Sequence, residues 1–168
     1  NILRFLILAI LFFQNPTIYS QNGDITLTGT GGTGDARDNA GILKDGGTGD
    51  VKIYSTTGNI TLIGIDSGVG NTSDIETKTT DLYLGWDGSS TVTSGDIILR
   101  SNSFELGSNL NIKNTGSLTI EPYNNSFEVA QTLSEKFIID SGITQLIFGK
   151  VSNTADVSIN YTADSTVS

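Results

Sequence analysis

Aliphatic and polar residues alternate over short stretches along most of this chain, and one phrase keeps returning. Between Asn109 and Pro122 it occurs twice, as Asn109-Leu110-Asn111-Ile112 and as Ser117-Leu118-Thr119-Ile120, with the turn-forming Asn114-Thr115-Gly116 between. Period-two alternation of this kind describes a strand with one buried face. Earlier copies are Gly23-Asp24-Ile25-Thr26-Leu27, Gly49-Asp50-Val51-Lys52-Ile53, Gly58-Asn59-Ile60-Thr61-Leu62, Thr80-Asp81-Leu82-Tyr83-Leu84 and Gly95-Asp96-Ile97-Ile98-Leu99. Two later ones are Thr144-Gln145-Leu146-Ile147-Phe148 and Ala155-Asp156-Val157-Ser158-Ile159. In each, the small residue opens a corner, Asp or Asn can bond the neighbouring backbone, and the two aliphatics share one pleat face. Leu110, Ile112, Leu118, Ile120, Leu146 and Phe148 are therefore expected inside. Asn111, Lys113, Thr119 and Ile147 are expected nearer the surface.

The spacing of the copies selects the architecture. Ile60 to Leu82 and Ile75 to Ile97 are each 22 positions, and Ile97 to Leu118 is 21. Shorter steps lie inside these, with Val51 to Ile60 at 9 and Leu110 to Leu118 at 8. Uneven steps grouped into units of about 20–29 residues suit a solenoid whose turns stack in register, more than an up-and-down meander. The chain reads as all-β, a parallel β-helix of six or seven coils at roughly 22–25 residues each.

The first twenty residues differ from the rest. Arg4 precedes the unbroken apolar run Phe5 to Phe13, and a polar segment with Pro16 follows. That order reads as a secretory signal peptide over residues 1–20, cut after Ser20, leaving residues 21–168 as the repeat domain. The run is too short to span a bilayer, so no stable membrane span is expected. Starting without Met and ending in a Thr/Ser run, the chain reads as a piece of a longer gene product.

Composition narrows the partners. Nine Lys+Arg against 18 Asp+Glu give a net charge of −9, which disfavours nucleic acid and anionic membrane surfaces. Without Cys there is no disulfide framework or thiolate metal site, and without His the commonest general base and metal ligand are missing.

Three features carry candidate chemistry. Gly31-Gly32-Thr33-Gly34-Asp35 recurs as Gly46-Gly47-Thr48-Gly49-Asp50. It approaches a calcium β-roll repeat, but with the Asp one place early and the copies too far apart, so flexible corners are the preferred reading. Asp24, Asp50, Asp81, Asp96 and Asp156 are numerous enough to suggest a polysaccharide-cleaving centre, yet each holds a corner position where capping explains it. Catalytic, cofactor-binding and metal residues are therefore expected to be none. Trp86, in a Gly/Ser/Asp loop with Tyr83 three positions before it, could form a sugar-stacking platform or cover strand edges. Residues 28–50, 65–74 and 85–90 read as loops, and Glu128 to Lys136 as a helical turn. Asn59, Asn109 and Asn111 could form a hydrogen-bonded ladder between coils.

The stretches Leu118-Thr119-Ile120-Glu121-Pro122, Asn124-Asn125-Ser126-Phe127, Leu146-Ile147-Phe148-Gly149-Lys150 and Asn153-Thr154-Ala155-Asp156-Val157-Ser158-Ile159 resemble a segment of large bacterial exoproteins, the filamentous-haemagglutinin-like adhesins. The resemblance covers nearly everything after Gln21. It implies a right-handed parallel β-helix, passage through export machinery and a place on the bacterial cell surface, and it supplies no catalytic motif. The function expected from it is a non-catalytic adhesin or adhesin stalk, contacting host-cell or biofilm glycans or proteins through loops 28–50 and 85–90. A spacer without ligand and a polysaccharide-acting β-helix enzyme are the rival readings.

Overall fold

The computed structural model describes residues 3–7, 10–32, 40–66 and 73–160. Its strands stack as turns of a parallel β-solenoid, about four turns in all. The first turn holds β1 (Leu3–Ile7), β2 (Ile10–Phe12) and β3 (Thr17–Ser20). The second holds β4 (Ile25–Thr30), β5 (Ile42–Lys44) and β6 (Val51–Ser55), and the third β7 (Ile60–Ile65), β8 (Ile75–Thr77) and β9 (Leu82–Leu84). Then come β10 (Ile97–Arg100), β11 (Phe104–Leu106) and β12 (Leu110–Ile112). After them lie β13 (Ser117–Glu121), β14 (Gln131–Leu133) and β15 (Phe137–Ile139), and finally β16 (Gln145–Phe148) and β17 (Val157–Ile159).

Every named strand pair is parallel. The first sheet runs β1-β4-β7-β10-β13-β16, the second β2-β5-β8-β11, and the third β3-β6-β9-β12-β15, with β14 and β17 as a separate pair. Inward aliphatics form continuous columns. Ile25, Ile60, Ile97, Leu118 and Leu146 follow one another along the first sheet, and Val51, Leu82, Leu110 and Phe137 along the third. These columns meet in a core in which Ile53, Ile60, Leu62, Leu84, Ile97, Leu99, Leu110 and Leu118 are wholly inaccessible. No turn could bury such a stripe alone; the neighbouring turns do it.

The turn length differs from the expected one. Residues in corresponding corners are 35, 37 and 21 apart, as in Asp24–Asn59, Asn59–Asp96 and Asp96–Ser117. The 22-residue spacing of Ile60 and Leu82 crosses from the first sheet to the third, and the twin phrases at Leu110 and Leu118 likewise lie on different sheets. Fewer, longer turns result. The variation enters between the first and second sheets and again between β9 and β10, where residues 85–96 stand in place of the short corners 56–59 and 113–116, without disturbing the register of the sheets.

Two predicted loops contain strands. Residues 28–50 include the end of β4 and all of β5, while residues 33–39 lie outside the described part. Of loop 65–74, residues 67–72 likewise fall outside it. β5 and β8 are buried at every position, including Lys44, Glu76 and Thr77, so the alternation that reveals a strand is missing there. The helical turn expected over Glu128 to Lys136 is instead strand β14, paired to β17. Leu146, expected inside, is 39% exposed. It is in the inward column, but no described strand stacks on the far side of β16. Phe148 is half-buried for the same reason, while the other four predicted core residues and the four predicted outer ones stand as expected.

Of the apolar run near the start, residues 5–7 lie in β1 and residues 10–12 in β2, paired to β4 and β5, while residues 8–9 lie outside the described part. Ile10 and Phe12 are buried, and Leu11 and Phe13 face out. Among the described residues no helix is long and apolar enough to cross a membrane.

Candidate functional site

Three of the five corner carboxylates, those of Asp24, Asp81 and Asp96, bond the next turn. Asp24 accepts the backbone N–H of Asn59 at 2.8 Å, Asn59 accepts that of Asp96 at 2.8 Å, and Asp96 accepts both the N–H and the hydroxyl of Ser117 at 2.8 Å. The Ser117 amide and hydroxyl hold the Asp96 carboxyl below its ordinary range. In the next corner Asp81 accepts from the backbone and side chain of Asn109 and from the side chain of Asn111. The stacked-asparagine ladder expected of Asn59, Asn109 and Asn111 is replaced by bonds between each of them and an Asp of a neighbouring turn.

Asp74 is the most deeply buried of these groups. It accepts backbone N–H groups of Asp66 and Asn102, and its own N–H donates to Ser103. Burial pushes its carboxyl up to about 6, against the opposing pull of those amides, and the nearby Asp66 and Glu128 charges push the same way. Of the GGTGD pair, Asp35 lies outside the described residues. Among the described residues no three acidic side chains converge as a metal cage.

The sheet face that differs from the rest is the outer side of the third sheet. There the register aligns Thr17, Lys52, Tyr83, Asn111 and Ile138 in one column. Tyr19 and Tyr54 are paired in the next, with ring centroids 4.8 Å apart. Gly85, at φ +77°, lets the chain leave β9 where an added Cβ would strike the Lys113 carbonyl, and so swings Trp86 back over the sheet. Trp86 then pairs with Val92 across a small antiparallel bridge and lies 5.4 Å from the Tyr83 ring. Asp87 fastens the loop by accepting from the N–H groups of Ser89 and Thr91, at 2.8 and 3.1 Å, and the Ser89 amide above all holds its carboxyl down to about 2.

Charge surrounds these rings. Lys113 Nζ stands 5.2 Å from the Trp86 ring centroid and 3.6 Å from Asp140 Oδ2. Lys52 reaches the loop at Gly88 from the other side. Desolvation raises the Tyr83 hydroxyl above its usual range, helped by the Asp50 and Asp81 charges. Between Trp86, Asn111, Lys113, Ile138 and Asp140 lies a surface hollow of about 110 Å³. Aromatic faces flanked by an amide, an ammonium and a carboxylate can stack on the C–H side of a sugar ring and hydrogen-bond its hydroxyls.

The loop at 85–90 therefore joins the site that Trp86 and Tyr83 suggested. Loop 28–50 does not join it through any described residue other than Asp50. Tyr19 and Tyr54 were not legible as partners, because a separation of 35 residues carries no signal until the turn length is known. Comparison with protein-family models, with curated proteins and with solved structures gives no match.

Proposed function

We propose that this chain is a non-catalytic binding rod of the bacterial cell exterior, an adhesin or adhesin stalk, that contacts glycans through the outer face of its third sheet. The observation that carries the reading is the Tyr83–Trp86 ring pair beside an open hollow that Trp86, Lys113 and Asp140 line. The haemagglutinin-like phrases support the cellular setting, and the solenoid supports a projecting scaffold whose loops vary while its strands repeat. A structural duty for the corner acids supports the non-catalytic part, since Asp24, Asp81 and Asp96 spend their lone pairs on the next turn.

The test is glycan-array and cell-attachment binding by the intact chain, Trp86→Ala and the milder Trp86→Phe. Binding should fall at least tenfold in Trp86→Ala and partly recover in Trp86→Phe, with the melting temperature of the latter unchanged. An intact chain that attaches to no glycan leaves the spacer reading. Release of oligosaccharides from an acidic polysaccharide overturns the non-catalytic one.

A further inference from the structure

The outer face of the third sheet continues well past the hollow at Trp86. One outward column holds Thr17, Lys52, Tyr83, Asn111 and Ile138. The column beside it begins with Tyr19 and Tyr54. Backbone bonds from Gly85 to Ile53, from Lys113 to Leu84 and from Asp140 to Ile112 carry it on through Gly85, Lys113 and Asp140. Five strands thus line up along the axis, four strand steps or about 19 Å from β3 to β15. Across the axis the face is narrow, because β9, β12 and β15 are each three residues long.

The side chains along this strip are amphipathic. Tyr19 is 52% exposed, Tyr54 is half-buried, and their ring centroids are 4.8 Å apart, the spacing of the strands themselves. Beyond Tyr54 the column has no side chain at Gly85. Lys52, in the neighbouring column, reaches toward the loop, its Nζ 2.8 Å from where a Cβ on Gly88 would lie. Tyr83 and Trp86 follow, and then Asn111, Lys113 and Asp140 at the hollow. Aromatic rings therefore occur in three successive turns, and an amide, an ammonium and a carboxylate in the next two. The lysines are matched by acids. Lys113 is paired with Asp140, and Asp50 and Asp81 lie close enough to Tyr83 for their charges to help raise its hydroxyl.

Resting on the glycan reading above, we infer that the ligand is a linear, neutral, β-linked polysaccharide lying along the solenoid axis, with about four rings on the strip at one per strand step. An extended β-linked chain is a flat ribbon that presents C–H faces and equatorial hydroxyls at every ring, with an advance per ring close to one strand step. Its C–H faces meet the tyrosine and tryptophan rings, and its hydroxyls meet the Tyr, Asn and Lys polar atoms. A helical α-linked chain curves away from a straight strip. An acidic chain meets the aspartates that already answer the lysines. The hollow at Trp86 anchors one end, and the Tyr19–Tyr54 pair adds contacts once the chain is long enough to reach it.

The experiment titrates the whole chain with cellobiose, cellotetraose and cellohexaose, read by the fluorescence of Trp86, the single Trp of the sequence. The tetramer should bind at least tenfold tighter than the dimer, and the hexamer about as well as the tetramer. Tyr54→Ala should weaken the tetramer tenfold and the dimer less than twofold, and Tyr54→Phe, which keeps the ring, should recover most of the loss. Maltotetraose (α-linked) and a hyaluronan tetrasaccharide (β-linked but acidic) should bind at least tenfold weaker than cellotetraose. Equal affinity for dimer and tetramer, or an equal loss of both in Tyr54→Ala, would overturn the inference and leave a site for a single sugar. Binding of maltotetraose or hyaluronan as tight as that of cellotetraose would overturn the ligand class. The glycan array separates the two readings: signals confined to short branched sugars sink this inference and keep the glycan site, whereas a blank array sinks both.

Discussion

Asn59 accepts the backbone N–H of Asp96 through Oδ1 at 2.8 Å, one full turn and 37 residues along the chain. Asn59 is at the same time the donor to Asp24 in the turn before. The pair therefore ties three turns at one corner, through a side chain on one side and an amide on the other. Asn59→Ala removes the acceptor and leaves the Asp24 bond intact, so its effect isolates one rung. A loss of about 0.5–1.5 kcal/mol is expected in urea unfolding, at the lower end because the site is solvent-exposed. An unchanged midpoint would mean that water replaces the rung at no cost.

The inward columns predict a gradient along the axis. Leu62 is fully enclosed, and Leu62→Ala should cost about 2–5 kcal/mol through lost burial and a residual cavity. Leu146 ends the adjacent inward column, that of Ile60, and stands partly in solvent. Leu146→Ala should cost less than about 1 kcal/mol, within the range of ordinary surface changes. Equal costs would show that β16 is covered in solution.

Asp74 sets a pH dependence. Its folded pKa is raised from 3.8 to about 6, so folding favours the protonated form. The stability it confers is fully present below 3.8, declines as pH rises toward 6, and stays flat above. Asp87 and Asp96, held low by N–H donors, act with the opposite sign and only below 3.8. Urea midpoints measured from pH 4 to pH 7 should fall with pH, and Asp74→Asn should flatten the slope. A midpoint that rises over that interval would refute the assignment.

Removal of residues 1–20 would strip β1, β2 and β3 from the edges of β4, β5 and β6. Ile10 and Phe12 would go with them, and each fully buried side chain of this size is worth about 1.5–3 kcal/mol of transfer free energy. A chain beginning at Gln21 should therefore unfold at lower urea concentration than the full sequence. N-terminal sequencing of secreted protein decides between the two forms: a start at Gln21 supports a cleaved leader, and an intact Phe5 to Phe13 run assigns it to the first turn.

Much of the architecture was legible because the first and third sheets obey a single rule. Their strands alternate, so Ile25-Thr26-Leu27 or Leu110-Asn111-Ile112 states both strand and face. The second sheet does not obey it. Lys44 is fully buried and donates to the Gly46 carbonyl at 2.7 Å, with desolvation drawing its ammonium below the usual range. In sequence Ile42-Leu43-Lys44 looks like a loop with two apolar residues, because the bond that makes its burial tolerable is local and irregular. Turn length was misread for a related reason: copies of one phrase occur on two sheets, and the phrase does not say which. At the candidate site, Trp86 and Tyr83 could be paired from their proximity in sequence. Lys113, Asp140 and Ile138 could not, since only stacking of successive turns brings them to the same hollow.

The unequal turns also give the molecule a mechanical signature. Under axial load each turn can be held only by its neighbours, so the chain should yield strand by strand from an end. Every turn that lets go would release between 21 and 37 residues, about 70 to 130 Å of slack at full extension. A force–extension trace would then show steps of different length in the order of the turns. A solenoid built in this way would absorb a sudden pull in graded instalments while the turns not yet reached stay folded.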